Sequence, residues 1–419
     1  MPSQVPSIQL HGRTYKVPQR ATVVICIDGF DPEYLAAGIE DGILPSMASF
    51  LESGFHTTAN CAMPSLTNPN NLSIITGAPT SIHGISGNYY LDKQTGEEHM
   101  VLDDSTMHGT TILAKMADAG VRVAAITAKD KLRRLINHGL SPSKGSICFS
   151  AQCANECLQS EHGIQDVENW LGKPTPAQYS GDLSLFVLDA GVKLLQEDRA
   201  DLFYLTLSDY IQHKHAPRSP ESNEFMRAID ARLGELVKLG AVVAVTGDHG
   251  MSDKSAEDGS PNVLFLEDFL NSKWPDCQAR VICPISDPFV KHHGALGGFV
   301  RVHLGGNEGK KPAVWEMVAD CRKLPEVEMA LTGEEAAASF EMPLDREGDL
   351  VIMSKKDFVI GSRSDKHDLS QLGEQRLRSH GGLSEQRIPL LKSTAVLPGV
   401  LAEWKRWRNF DIFDLVLNC

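Results

Sequence analysis

Four short apolar runs constrain the fold more than anything else in the chain: ATVVICID (21–28), VRVAAIT (121–127), DLFYLTL (201–207) and AVVAVTG (241–247). Each is rich in Val, Ile or Leu, and none alternates apolar with polar residues. A strand with one wet face alternates, whereas a strand covered on both faces does not. Helical patterns lie between the runs: LPSMASFLES, TTILAKMADAG, SGDLSLFVLDAGVKLLQED and SPESNEFMRAIDARLGELVKLG. In the last, Phe225, Ile229, Leu233 and Leu236 fall on one face. This order predicts an α/β fold with a mostly parallel central sheet flanked by helices.

The chain has 419 residues, more than one simple core usually fills. From 259 to 372 its character changes. GALGGFVRVHL and GDLVIMSKKDFVIG read as strands, KKPAVWEMVADCRKL as a helix, with Gly and Pro turns between them. We expect a core built from 1–258 and 373–419, with 259–372 as a smaller inserted α+β cap.

Composition narrows the partners. The 40 basic residues against 54 acidic ones give a net charge of −14, so a nucleic-acid footprint is not expected. No run approaches the length of a membrane helix, and the Pro-broken N-terminus has no apolar signal region. The nine Cys are odd in number and show no C-x-x-C repeat, which suits reduced thiols in a cytoplasmic protein. Cys148, Cys153 and Cys157 fit no common zinc module. A homodimer is expected on base rate.

Several metal-binding side chains stand at or just after the apolar runs, where parallel sheets place their ligands. Asp28 precedes Gly29; it is either a metal ligand or a turn-forming Asp. Thr67, in SLTNPNNLSIITG, is either a helix N-cap or a nucleophile that a metal activates. Asp209 and His213 are spaced to share one helix face, as a ligand pair or a surface pair. Asp248 and His249 are adjacent, so their side chains are expected to diverge. They would then serve two neighbouring ions, or share one only in an open loop. His380, in RSHGG, is weak alone. His215 would face away, and His108, His138, His162, His292 and His293 are given no role. Together, three carboxylates, three histidines and one hydroxyl suit two zinc-like ions and a nucleophile.

The order D…T…D-x-x-x-H…D-H…H resembles the alkaline phosphatase superfamily, and within it the nucleotide pyrophosphatase/phosphodiesterase branch. The blocks ICIDGFDPEYL, SLTNPNNLSIITGAPTSIHGISGNYY, SDYIQHKHAP and TGDHGM look most like the members that hydrolyse the C–P bond of phosphonoacetate. The resemblance implies two Zn2+ per chain. Asp28, Thr67, Asp248 and His249 would hold one, and Asp209, His213 and His380 the other. It also implies Thr67 as nucleophile and Asn88 as a hydrogen-bond donor to the phosphoryl group of a small phosphonate.

Cleaving P–C leaves a carbanion, which the neighbouring carboxylate delocalises as an enediolate. Negative charge therefore grows at the carboxylate in the transition state. Lys129 and Lys131, in TAKDKLRR just past the second apolar run, are expected to bind it; the alternative is a solvated basic turn with Arg133 and Arg134. Two rival functions stand beside this one. A phosphodiesterase would use the same ligands with Tyr89 or Tyr90 as a platform for a base. A structural metal protein would need closed sites, often with Cys, and no Cys falls among these ligands.

Overall fold

The computed structural model describes residues 6–287, 293–306, 312–373, 375–396 and 406–419. In chain order the elements that build the site are β1 (Thr22–Cys26), β2 (Phe55–Asn60), α1 (Thr67–Thr76), β3 (Val123–Thr127), α2 (Asp130–Ile136), β4 (Ile147–Ser150), α3 (Asp182–Gln196), β5 (Leu202–Thr206), α4 (Tyr210–Lys214), α5 (Pro220–Lys238) and β6 (Val242–Thr246). Then follow β7 (Ala279–Ile282), β8 (Phe299–Leu304), α6 (Val314–Cys321), β9 (Val327–Thr332), β10 (Leu350–Ser354), β11 (Arg387–Lys392) and α7 (Ile412–Asn418).

The main sheet has seven strands in the order β2-β11-β6-β1-β5-β3-β4. From β6 to β4 every pairing is parallel; β11 runs antiparallel to both β6 and β2. The expected α/β architecture is therefore present, and its four apolar runs are β1, β3, β5 and β6. Their lack of alternation has a direct cause. In β1, Val23 and Ile25 enter one core with Phe203, Leu205, Val243 and Val245. Val24 and Cys26 enter another with Tyr204 and Ala244. Helices α3 and α5 cover the first face through Phe186, Leu188, Ile229 and Leu233. Helices α1 and α7 cover the second through Leu72, Ile75, Ile412 and Phe413. Each fully buried aliphatic side chain contributes about 1.5–3 kcal/mol, so neither face tolerates a polar residue cheaply.

Between β6 and β11 the chain builds a four-stranded antiparallel sheet, β7-β8-β10-β9, with its own core. Helix α6 packs there through Met317 and Val318. Cys148, Cys153 and Cys157 are free thiols. Among the described residues no helix is long and apolar enough to cross a membrane.

Candidate active site

The carboxyl ends of β1, β5 and β6 converge, and the turns after them carry the carboxylates. Asp28 follows β1 by two residues, Asp209 caps α4 after β5, and Asp248 follows β6 by two. All three are buried. Gly29 makes the convergence possible. Its φ is +69°, and a Cβ there would lie 3.3 Å from Gln212 Cβ and 3.4 Å from Asp209 Cβ. The Gly29 N–H donates to Asp248 Oδ1 at 3.2 Å, and Gln212 Nε2 donates to the Asp28 carbonyl at 2.8 Å.

Thr67 is the first residue of α1; the cap position is Leu66, with no side-chain cap bond, so Thr67 is not the N-cap. Its Oγ1 lies 3.3 Å from His249 Nε2. One turn on, Asn71 Nδ2 donates to Asp248 Oδ2 at 3.1 Å, while Asn71 Oδ1 accepts from Tyr204 and Thr206 at 2.7 and 2.8 Å. The helix that begins with Thr67 is thus bolted to Asp248 and to β5.

The three histidines share one orientation. Nδ1 of His213 meets the Arg378 carbonyl at 2.7 Å, Nδ1 of His249 the Gly250 carbonyl at 2.8 Å, and Nδ1 of His380 the Ser65 carbonyl at 2.9 Å. A carbonyl only accepts, so each Nδ1 carries the proton and each Nε2 faces the cluster. His213 Nε2 lies 2.9 Å from Asp209 Oδ2, and His249 Nε2 lies 3.1 Å from Asp28 Oδ1. The His249 and His380 rings stack with centroids 3.5 Å apart.

Ligand atoms of Asp28, Asp248 and His249 all lie within 4.8 Å of one another, as do those of Asp209, His249 and His380. The expectation that Asp248 and His249 diverge is therefore corrected. The chain bends at Asp248, and both side chains turn toward Asp28. The expectation that His293 has no part in the site is corrected too: its buried ring stacks on His213 at 4.7 Å and lines the cavity. His292 lies outside the described residues. His215 does stay outside, beside Glu221, and His108, His138 and His162 make contacts elsewhere.

The electrostatics of this cluster fit cations. Burial and Asp28 push the Asp248 carboxyl well above its ordinary range. Burial opposes charge on His249, yet Asp248 and Asp28 outweigh it and raise the imidazole to about 10. Burial, His249 and His213 push His380 well below its ordinary value. These groups pull in opposite directions because three carboxylates and three imidazoles are buried side by side. A dication between Asp28, Asp248 and His249 satisfies them at once, with the mixed O and N donors that zinc accepts.

Beside the cluster is a cavity lined by Thr67, Asn68, Asn88, Lys129, Lys131 and Asp287, among others. Lys129 Nζ lies 3.4 Å from Asp209 Oδ1. Burial disfavours the Lys129 ammonium, but Asp209 and Asp28 outweigh it and raise the pKa. Burial also lifts Asp209, and Lys129 and His213 reverse it, holding that carboxyl well below its ordinary value. Burial and Lys129 lower Lys131 to about 7, and its ammonium pairs with Asp287. The lysines therefore face the cavity. Arg133 and Arg134 turn away and share Asp130. Asn88 is buried, its Nδ2 donating to the Ile285 carbonyl at 3.4 Å. Asn68, whose buried Nδ2 has no hydrogen-bond partner among the described residues, was not foreseen; its place directly after Thr67 is the one signal that pointed to it.

The model of the family described as type I phosphodiesterase / nucleotide pyrophosphatase matches residues 22–383. The structure of phosphonoacetate hydrolase from Sinorhizobium meliloti 1021 in complex with phosphonoacetate is 43% identical, covers 99% of both chains and superposes with a TM-score of 0.92. Its complex with phosphonoformate gives a TM-score of 0.91. An uncharacterised pyrophosphatase/phosphodiesterase of Schizosaccharomyces pombe is 25% identical over 352 residues, 75% of this chain and 64% of that protein. A phosphonoacetate hydrolase of Penicillium oxalicum is 71% identical over 31 residues, 7% of this chain and 43% of that protein. The chain thus spans less than two thirds of either of these last two relatives.

Proposed function

The chain belongs to the type I phosphodiesterase / nucleotide pyrophosphatase family, with an alkaline-phosphatase-like fold, and on that premise we propose that it is a di-zinc hydrolase that cleaves phosphonoacetate to acetate and phosphate. The observation that carries this reading is the pair Lys129 and Lys131 in the same cavity as Thr67. A phosphoryl site beside two ammonium groups suits a phosphonate with an anionic tail.

Asp28, Thr67, Asp248 and His249 would hold one zinc and Asp209, His213 and His380 the other. Zinc supplies the positive charge that lowers the pKa of a coordinated hydroxyl and polarises phosphonyl oxygens. The chain's own groups do the rest. α1 aims Thr67 Oγ1 at phosphorus, and Asn88 and Asn68 offer amide donors to the phosphonyl oxygens. Oγ1 gives its proton to solvent as the Oγ1–P bond forms and P–C breaks; the electron pair passes to carbon and into the carboxylate held by Lys129 and Lys131, and the acetate carbon then takes a proton from solvent. A water molecule next attacks phosphorus, Oγ1–P breaks, and phosphate leaves with Thr67 restored. Lysine contacts that tighten as the enediolate forms contribute about 3–4 kcal/mol, the scale of one oxyanion-hole donor. Residues 259–372 act in this reading as a cap, and the protein as a cytoplasmic homodimer, which light scattering tests.

The phosphodiesterase reading wants an aromatic platform near Thr67. Tyr89 bonds Glu98 and lines a different cavity, and no Tyr, Phe or Trp is among the described lining residues of the Thr67 cavity. The test is phosphate release from phosphonoacetate by zinc-loaded protein, with p-nitrophenyl phosphate and a phosphodiester in parallel. Release from phosphonoacetate alone supports the proposal; turnover of the diester alone replaces it.

A further inference from the structure

The carboxylate pocket contains a carboxylate already. Lys131 pairs with Asp287, and the two side chains are only 10% and 11% exposed. Lys129 also has a protein partner, but that partner, Asp209, belongs to the metal cluster. Asp287 does not. It follows β7 in the second sheet's segment, 156 residues from Lys131 in sequence.

Asp287 lines the Thr67 cavity, a narrow space of about 40 Å³, at the end where Lys131 stands. Asp287 also lines a second, wider cavity of about 950 Å³, together with Arg363 and Lys366. It stands on the partition between the two. The residues just before it are tied to the phosphonyl end: Pro284 and Ile285 accept from the Asn88 backbone N–H at 2.8 Å and from its side chain at 3.4 Å.

Resting on the reading of Lys131 as a carboxylate-binding residue, we propose that Asp287 is a specificity-determining residue. Its carboxylate holds the place of the substrate carboxylate on Lys131 and is exchanged for it on binding. A ligand with its own carboxylate leaves the buried ammonium paired, and the displaced Asp287 turns toward the cavity lined by Arg363 and Lys366. A phosphonate without a tail offers no such exchange. It must leave a buried charge unpaired or bind with Asp287 still in the tail position.

Calorimetry on the zinc-loaded full chain tests this with phosphonoformate, which carries a carboxylate, and methylphosphonate, which does not. Asp287→Asn is expected to tighten phosphonoformate about tenfold and to leave methylphosphonate within about twofold, as when a binding-competent state held at about one tenth becomes dominant. Asp287→Glu, which keeps a carboxylate, is expected to behave as wild type. Equal shifts for both ligands, weaker phosphonoformate binding in Asp287→Asn, or lost discrimination in Asp287→Glu would overturn the exchange. Phosphate release from phosphonoacetate by the wild type reads the reaction separately. Absent turnover with the expected discrimination sinks the reaction alone; normal turnover without it sinks the exchange alone.

Discussion

The two ends of the cavity are built on different plans. At the Thr67 end His213, His249 and His380 are each anchored through Nδ1 to a backbone carbonyl, and Asp248 is held by Asn71 and the Gly29 N–H. Those anchors sit on the turns beyond the main sheet, on α1 and on the short strand Arg378–Ser379. At the tail end two long lysines reach in from the start of α2, and the partner of Lys131 comes from the second sheet's segment. A short, fixed cluster suits chemistry, which needs reacting atoms placed to a fraction of an ångström. Long side chains paired with exchangeable carboxylates suit selection among tails, where a lost pairing rather than a lost ångström decides.

Metal removal tests the rigid end most severely. Chelation should abolish phosphate release and also lower Tm, because Asp28, Asp248 and Asp209 are then offset only by His249 and Lys129. The ligand-linked stabilisation lost is about 4 kcal/mol if zinc is present at a thousand times its Kd. Unchanged Tm and activity after verified zinc loss would break the assignment of that end. Thr67→Ala comes next. Removing a nucleophile costs about 10⁴-fold or more in kcat where it forms the covalent intermediate, with KM changed far less. Rapid quench with ³²P-labelled substrate checks the route: label on wild-type Thr67 supports it, and turnover without label points to direct attack by water.

Lys129→Ala probes the other end and should cost less. A contact strengthened in the transition state is worth about 10²–10³-fold in kcat, and KM should rise by less than kcat falls. If KM alone moved, Lys129 would bind tail in ground and transition state alike, and the enediolate role would pass to Lys131. The same contrast governs what the sequence could disclose. Central strands were legible because burial on both faces demands unbroken Val, Ile and Leu. β2, FHTTAN, was not, since only Phe55 and Ala59 are buried. β11 carries Pro389, which argues against a strand, yet it pairs with β2 on one side and β6 on the other. Part of the Thr67 end could be placed from the sequence, as Asp28 and Asp248 each follow a central strand by two residues. At the tail end Lys129 and Lys131 could be inferred, but Asp287 and His293 could not. Their partners are set by how the second sheet's segment lies over the core, and no local pattern encodes that.

The smallest effect concerns what stiffens the rigid end from below. His83 is buried under α1, with Nε2 3.0 Å from Ser73 Oγ and Nδ1 accepting from the Ile85 N–H at 3.2 Å. Burial, with His11, Arg346 and His108 nearby, lowers its pKa from 6.5 to about 3. Because the folded value is the lower one, the unfolded chain takes up the proton first as pH falls. The contribution is fully present above pH 6.5 and is lost progressively down to about 3. At a slope of about 1.4 kcal/mol per pH unit, moving to pH 5.0 removes roughly 2 kcal/mol. Urea unfolding at pH 7.0 and 5.0 should therefore show wild type losing about that much more than His83→Gln, whatever the variant's stability at neutral pH. Equal losses in the two proteins would mean that His83 titrates normally. The support beneath Thr67 would then be looser than the phosphoryl end above it, and the contrast between the two ends would rest on the metal ligands alone.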